Sequence, residues 1–173
     1  MSNTKIFHHV DGKSYTVDGN TCRGCWMNDN PEKLPIEVEP IWQNEDIIIR
    51  QDVEWPIPAF YIVSLRKHIG SIADISAETA KKLFEMIALV RRGMREVLKI
   101  ERVQLYHEEK IINPHVHFWL LPLWQQKMDK YQINPKIYEG NVKTYIDLFK
   151  YCETKDDILM CNRLMKEYLD IHS

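Results

Sequence analysis

The chain has 173 residues, of which 45% are hydrophobic and 28% are charged, proportions typical of a folded globular domain rather than a disordered chain. Its 23 basic and 25 acidic residues give a formal net charge of −2, which argues against general nucleic-acid binding but allows a local phosphate site. The apolar runs are too short to cross a bilayer and residues 1–10 lack an apolar signal core, so we expect a cytoplasmic protein that does not bind membranes.

The N-terminal part of the chain predicts a small arm or hairpin over residues 1–20, because two Asp-Gly turn signals flank the strand-like residues 15–17. A C-x-x-C pair, Cys22 and Cys25, follows in a turn-like stretch. Without a signal peptide a structural disulfide is not expected, so this pair is a candidate for metal binding or redox chemistry.

The middle of the chain predicts strands and one long helix. Residues 41–43, 46–50 and 59–65 are rich in β-branched and aromatic side chains and predict strands. Apolar residues at helical spacing after the N-cap Ser76 predict an amphipathic helix over residues 77–99.

Two further strands are predicted at residues 103–107 and 115–121. Beyond them, residues 125–173 predict a C-terminal extension of two amphipathic helices. The predicted fold is therefore α+β, with an antiparallel sheet of about five strands and one long helix in residues 21–124.

The most informative segment is Asn113-Pro114-His115-Val116-His117-Phe118-Trp119. Alternate residues of a strand face the same side, so His115, His117 and Trp119 share one face, with neighbours about 7 Å apart. The residues between them are apolar and suit a hydrophobic core. Buried histidines need hydrogen-bond partners or a metal, so this face is a candidate functional site.

This segment resembles the His-φ-His-φ-His-φ-φ motif of the histidine triad superfamily of nucleotidyl hydrolases and transferases. Asn113-Pro114-His115-Val116-His117 is most similar to the Asn-Pro-His-x-His of the galactose-1-phosphate uridylyltransferase branch. The resemblance runs from Cys22 to Pro122 and includes the order of strands and long helix. It implies the fold of that superfamily for residues 21–124.

The resemblance also implies partners. The substrate would be a nucleotide or a nucleotide conjugate, such as a dinucleoside polyphosphate, a nucleotide sugar or a phosphoramidate. Members of the superfamily often dimerise, which makes a homodimer a further expectation to test.

In zinc-containing members, a C-x-x-C pair and two histidines bind the metal, and the matching residues here are Cys22, Cys25, His68 and His115. Two thiolates and two neutral imidazoles complete a tetrahedral Zn²⁺ shell, and four protein ligands make such a site structural rather than catalytic. The alternative is a metal-free pair of thiols, with His68 solvated and His115 only hydrogen-bonded.

His117 matches the middle histidine of the motif, which by resemblance attacks an α-phosphorus and forms a covalent nucleotidyl-histidine. An imidazole suits this step because its ordinary pKa of about 6.5 leaves one ring nitrogen unprotonated at neutral pH. The alternative is a buried histidine with a structural role only.

Four residues are candidates for substrate binding: Trp42, His107, Asn113 and Trp119. Trp42 would contribute to the apolar nucleoside slot, and His107 and Asn113 would supply polar contacts near the phosphate. Trp119 departs from the family pattern, which has His or Gln at the third position, and has one N–H donor and no acceptor. Core packing or turn formation is the alternative for each.

The main hypothesis is therefore an enzyme of nucleotidyl transfer or hydrolysis that acts through His117. A second is a zinc-stabilised nucleotide-binding protein with little or no turnover, because Trp119 occupies the third position. A third is a redox or interaction domain that uses the thiols of Cys22 and Cys25. Neither the base nor the acceptor, water or a sugar phosphate, follows from the sequence.

Overall fold

The structure is a computed structural model, and it describes residues 4–8, 14–18, 21–55, 57–125, 129 and 155–173. Near the N-terminus, strands β1 (Thr4–His8) and β2 (Ser14–Asp18) pair antiparallel in a two-stranded sheet. The first of the two helices predicted in residues 125–173 lies outside the described residues.

The main sheet has five antiparallel strands, as the sequence predicts. The strands are β3 (Trp42–Gln43), β4 (Ile47–Gln51), β5 (Tyr61–Leu65), β6 (Arg102–Tyr106) and β7 (His117–Leu123). Their order across the sheet is β3-β4-β5-β7-β6. Strand β7 begins two residues later than predicted and includes Pro122, which lies beyond the last β5 pairing, Tyr61 with Leu120. There β7 has a single neighbouring strand, a position that tolerates proline.

Helix α2 (Ala77–Glu96) packs on one face of this sheet through a continuous hydrophobic core. The Ser76 side chain caps it by accepting a hydrogen bond from the backbone N–H of Thr79 at 3.1 Å. The helix ends before the predicted residue 99, because Lys99 has a left-handed φ of 58°, which an α-helix does not accommodate.

The C-terminal helix α3 (Lys155–His172) packs against α2 and adds Cys161, Met165 and Leu169 to the same core. No helix in the described part of the chain is both long and apolar enough to span a membrane.

The predicted turn-like stretch around the C-x-x-C pair is instead a short helix, α1 (Arg23–Asp29). Two single-turn 3₁₀ helices follow at Pro31–Lys33 and Ile36–Val38. Met27, Leu34 and Val38 from this region form a separate small core with Val53, and Trp26 packs against it.

Candidate functional site

The face of the sheet opposite α2 carries an open cavity with about 650 Å³ of empty space including its mouth. Strands β4, β5 and β7 each contribute two alternate residues to its floor: Ile48, Arg50, Ile62, Ser64, His117 and Trp119. Helix α1, Val53 after β4 and the loop before β7 form the remaining walls. The cavity and the hydrophobic core therefore occupy opposite faces of the same three strands.

His117 lies on the cavity floor with its ring orientation fixed. Its Nδ1–H donates a hydrogen bond to the backbone carbonyl of His115 at 2.5 Å, which leaves the lone pair on Nε2. Burial is the largest effect and lowers the pKa of His117 to about 4. The positive charge of Lys110, and that of His115 and His107 in their protonated forms, lowers it further against the opposing effect of this hydrogen bond. The arrangement provides a neutral imidazole with a basic Nε2.

Trp119 lies beside His117, with the two rings edge to face and their centroids 4.1 Å apart. Its indole N–H donates to the buried Oδ2 of Asp52 at 3.1 Å. Asp52 also accepts hydrogen bonds from the backbone N–H groups of Glu54 and Trp55 through Oδ1. The single donor of Trp119 is thus used inside the protein, and its ring only shapes the cavity wall.

Asn113 and Lys110 line the cavity on the side of the loop before β7. Asn113 has a φ of 51°, a left-handed conformation in which asparagine is enriched, and its side chain donates to the carbonyl of Thr21 at 3.3 Å. The Lys110 ammonium lies 5.8 Å above the Trp119 ring. The loop thereby brings a polar amide and a positive charge to the end of the cavity that contains His117.

His107 and Trp42, two of the predicted substrate-binding residues, do not line this cavity. The Nδ1–H of His107 donates to the carbonyl of His117 at 2.8 Å, and its ring stacks on Phe118. Trp42 packs against the core and donates its indole N–H to the Ser173 hydroxyl at 2.9 Å. His107 therefore positions the backbone of β7 at His117, whereas Trp42 packs away from the cavity.

A buried arginine, Arg50, is a cavity residue that sequence reasoning missed. It is 3% exposed, and its Nη2 donates to Oδ1 of Asn28 at 2.9 Å. The sequence signal was weak because Arg50 ends the run Ile47-Ile48-Ile49, in which no alternation shows the direction of each side chain.

Cys22, Cys25, His68 and His115 come together at the end of the cavity nearest α1, and their ligand atoms all lie within 4.8 Å of one another. Cys22 Sγ is 3.1 Å from His115 Nδ1, and Cys25 Sγ is 3.5 Å from His68 Nδ1 and 3.7 Å from His115 Nδ1. Zn–S and Zn–N bonds of normal length in a tetrahedral shell separate S from N by about 3.6 Å. The four residues therefore fit a zinc ion.

The second ring nitrogen of His115 supports the same assignment. Nε2–H donates to the carbonyl of Leu65 at 2.7 Å, so Nδ1 carries the lone pair that faces the thiols. Hydrogen bonds of this kind fix the tautomer of histidines that ligate metals.

The thiols of the C-x-x-C pair influence each other strongly. Burial is the largest single effect and raises the pKa of Cys22, but hydrogen bonding to His115, to the Cys25 backbone and to His68, together with the charge of His115, lowers the pKa to about 6. Burial and the neighbouring Cys22 charge raise the pKa of Cys25 to about 12. Without a bound cation, only one of these two neighbouring sulfurs carries a negative charge. A metal ion would allow both to be thiolates, so the pair has the chemistry of a metal centre.

Comparison with solved structures shows the fold. A hypothetical histidine triad nucleotide-binding protein from Sulfolobus tokodaii superposes with a TM-score of 0.60 at 16% identity, covering 87% of this chain and 93% of that one. A zinc-bound histidine triad family protein from Mycobacterium smegmatis gives 0.57 at 15% identity, covering 87% and 94%. A histidine-triad-like protein from Bartonella henselae gives 0.55 at 11% identity, covering 86% and 98%.

No protein-family model and no curated protein matches the chain. The structural likeness at these identities shows a common fold, and the chain has the α+β architecture of histidine triad proteins. The chemistry of the site has to be argued from its own residues.

Proposed function

We propose that the protein is a nucleotidyl hydrolase or transferase that acts through a covalent nucleotidyl-histidine at His117. The observation that carries the proposal is the hydrogen bond from Nδ1–H of His117 to the carbonyl of His115, because it aligns the ring and leaves Nε2 as the nucleophile. The lowered pKa of His117 supports the same role, since the imidazole is unprotonated at neutral pH.

In the first step, Nε2 of His117 attacks the α-phosphorus of the substrate. A P–N bond forms, the bond from phosphorus to the leaving group breaks, and the leaving group departs with the electron pair. The ring is then cationic, and its Nδ1–H still donates to the carbonyl of His115, which stabilises the charge. Lys110 and Asn113, which line the same cavity, would supply donors to the phosphate oxygens.

In the second step, the oxygen of water or of an acceptor attacks the same phosphorus. The P–N bond breaks, its electron pair returns to Nε2, and the proton of the attacking oxygen leaves to solvent. Two displacements of moderate difficulty replace a single harder one.

The third position of the motif bears on the leaving group. Trp119 donates its N–H to Asp52 and cannot protonate a departing atom. We therefore expect substrates whose leaving group is already a stable anion, such as nucleoside polyphosphates and nucleotide sugars, to react faster than phosphoramidates.

Cys22, Cys25, His68 and His115 would hold a structural Zn²⁺, as their spacing supports. When bound, the metal would cross-link α1, the segment after β5 and the segment before β7. Since the carbonyl of His115 orients His117, these ligands would also preserve the orientation of the nucleophile.

A second candidate function is nucleotide binding with little turnover. It is favoured by Trp119, whose ring edge contacts the His117 ring and whose donor is already used by Asp52. In this case the cavity would hold a nucleotide without productive approach of phosphorus to Nε2.

A substrate panel distinguishes the two candidates. Dinucleoside polyphosphates, nucleotide sugars with and without a hexose phosphate, and nucleoside phosphoramidates, each with adenine and with guanine or hypoxanthine, are incubated with zinc-loaded protein. The enzyme hypothesis predicts nucleotidyl release or exchange that His117→Asn abolishes and that the same substitution at the exposed His172 leaves unchanged. Binding without turnover supports the second candidate, and turnover retained in His117→Asn contradicts the proposed mechanism.

A further inference from the structure

Arg50 places a buried positive charge on the cavity floor. It lies on β4 directly opposite Ile62, which in turn pairs with Trp119 on β7. Its Nη2 donates to the neutral Oδ1 of Asn28, and its buried Nη1 has no hydrogen-bond partner among the residues that the structure describes. The guanidinium is therefore only partly satisfied by the protein.

A buried guanidinium without an anion or a full set of acceptors is costly. No Asp or Glu belongs to the described cavity lining, and Arg23, the neighbouring cation in that lining, is paired with Glu54. Burial and the charge of Arg66 lower the pKa of Arg50 to about 10, so it stays charged at neutral pH. Because Arg50 lines the cavity, a ligand there can supply acceptors to the guanidinium.

The distance from His117 indicates which part of a ligand would reach Arg50. From Arg50 to His117 the path crosses two strand spacings, from β4 through β5 to β7, and then two residues along β7. This corresponds to about 12 Å between the Cα atoms of Arg50 and His117. The α-phosphorus has to approach Nε2 of His117, so the opposite end of a nucleotide, its base, would lie towards Arg50. Four apolar side chains flank that end: Met27, Ile48, Val53 and Ile62.

We propose that Arg50 is a specificity-determining residue that hydrogen-bonds the oxo edge of a purine base and selects 6-oxopurine nucleotides, with guanine or hypoxanthine, over adenine nucleotides. This inference rests on the proposed function, because it requires a nucleotide with its phosphate at His117. Guanine and hypoxanthine present two adjacent acceptors, O6 and N7, that match the donor fork of arginine. Adenine presents an amino donor in place of O6, and arginine has no acceptor to meet it.

The test is a binding measurement with matched nucleotides that need no turnover. Inosine, adenosine and purine riboside 5′-monophosphates differ mainly in the group at C6 and are titrated calorimetrically into zinc-loaded wild-type protein. We expect inosine monophosphate to bind about tenfold or more tightly than adenosine monophosphate, the discrimination typical of a good bidentate contact. Purine riboside monophosphate, which lacks both groups, should fall between them.

Two substitutions assign the preference to Arg50. Arg50→Met keeps most of the aliphatic stem and removes the donors, so we expect inosine monophosphate to lose affinity and the preference to fall to about twofold or less. Arg50→Lys keeps the charge but lacks the planar donor fork, so it should keep only part of the preference for inosine monophosphate. An unchanged melting temperature and an adenosine monophosphate affinity within about threefold would show that the cavity of Arg50→Met is intact. If neither variant folds, the wild-type series still decides.

Equal binding of the inosine and adenosine nucleotides, or tighter binding of adenosine monophosphate, overturns the inference, and so does a preference that survives in Arg50→Met. A uniform loss of affinity for all nucleotides and for inorganic pyrophosphate would show instead that Arg50 binds phosphate. Nucleotide binding without base preference, together with turnover that depends on His117, would leave the proposed function standing. No nucleotide binding at all would overturn both.

Discussion

Asp52 is a buried carboxylate that accepts hydrogen bonds from one indole and from two backbone N–H groups. Burial raises its pKa to about 6, partly offset by the hydrogen bond from the Glu54 backbone. The Glu54 charge raises the pKa further, and that of Arg23 lowers it. Asp52 holds the Trp119 indole in place and occupies its N–H. The residue at the third motif position therefore lines the cavity with its ring but has no hydrogen-bond donor left for a ligand.

The raised pKa makes stability depend on pH in a definite direction. Between about pH 4 and pH 6 the native state keeps a proton on Asp52 that the unfolded chain loses. The contribution of Asp52 to the free energy of unfolding therefore falls as the pH rises, by up to about 3 kcal/mol. We predict that the Asp52→Asn variant lacks this decrease. Urea unfolding of the wild type and the variant at pH 4, 5, 6 and 7 measures the free energy of unfolding of each. Parallel pH dependence in the two proteins would contradict a raised pKa of Asp52. Any acid-induced loss of metal affects both proteins and cancels in the comparison.

Individual residues also show where sequence reasoning was sufficient. The alternation of His115, His117 and Trp119 correctly predicted a shared face, because a strand with apolar intervening residues has an unambiguous phase. Trp42 lies in a strand of two residues, which is too short for a phase to be read, and the structure places it away from the cavity. The acceptor of the Trp119 indole could not be predicted, since Asp52 is distant in sequence.

Among the elements, α2 and α3 pack closely together at Gly93. A Cβ atom there would lie 2.7 Å from Cδ1 of Tyr168 and 2.8 Å from Cε of Met165. Gly93→Ala in an isolated helix would stabilise by about 1 kcal/mol. Here we predict a net destabilisation of about 1–3 kcal/mol, because α3 has to shift. Thermal denaturation measures this, and a higher melting temperature would contradict the docking of α3.

Gly24 marks a similar close approach, between α1 and the segment before β7. A Cβ atom at this position would lie 3.1 Å from Nδ1 of His115, the atom that faces the thiols. We predict that Gly24→Ala lowers the zinc content and, by moving His115, lowers turnover at His117 several-fold. Gly93→Ala is the matched control, since it should retain zinc. Equal zinc content in the two variants would argue against His115 as a ligand.

Elements with a clear hydrophobic period were predicted well, and elements ordered by long-range contacts were not. The positions of α2 and of the five main-sheet strands followed from apolar spacing and capping. Helix α1 has seven residues, and its Cys25 and its neighbour Cys22 approach histidines that are more than 40 residues away. Its helical form therefore depends on partners that a local pattern does not contain.

On the scale of the whole molecule, the two faces of the main sheet have different roles. One face packs on α2 and α3, while the other carries the cavity and ends at the cysteine and histidine cluster. This cluster joins three segments that are far apart in sequence, so a metal bound there would stabilise the domain as a whole.

Cysteine substitutions test this arrangement. We predict that Cys25→Ala loses close to one equivalent of zinc and about 10 °C or more in melting temperature, because a structural metal contributes several kcal/mol. Cys161→Ala, which alters a core cysteine outside the cluster, should retain zinc. Zinc content and thermal melts are measured on protein purified without chelators. A wild-type protein that contains no zinc, or equal zinc in both variants, would contradict the metal centre.

The most direct test of the proposed function is detection of the covalent intermediate. Zinc-loaded protein is mixed with the fastest substrate of the panel, quenched in alkaline denaturant and analysed by intact-mass and peptide mass spectrometry. The proposal predicts one added nucleoside monophosphate on the peptide that contains His117, present in His172→Asn and absent from His117→Asn. Modification of a different residue, or turnover that continues in His117→Asn, would contradict it.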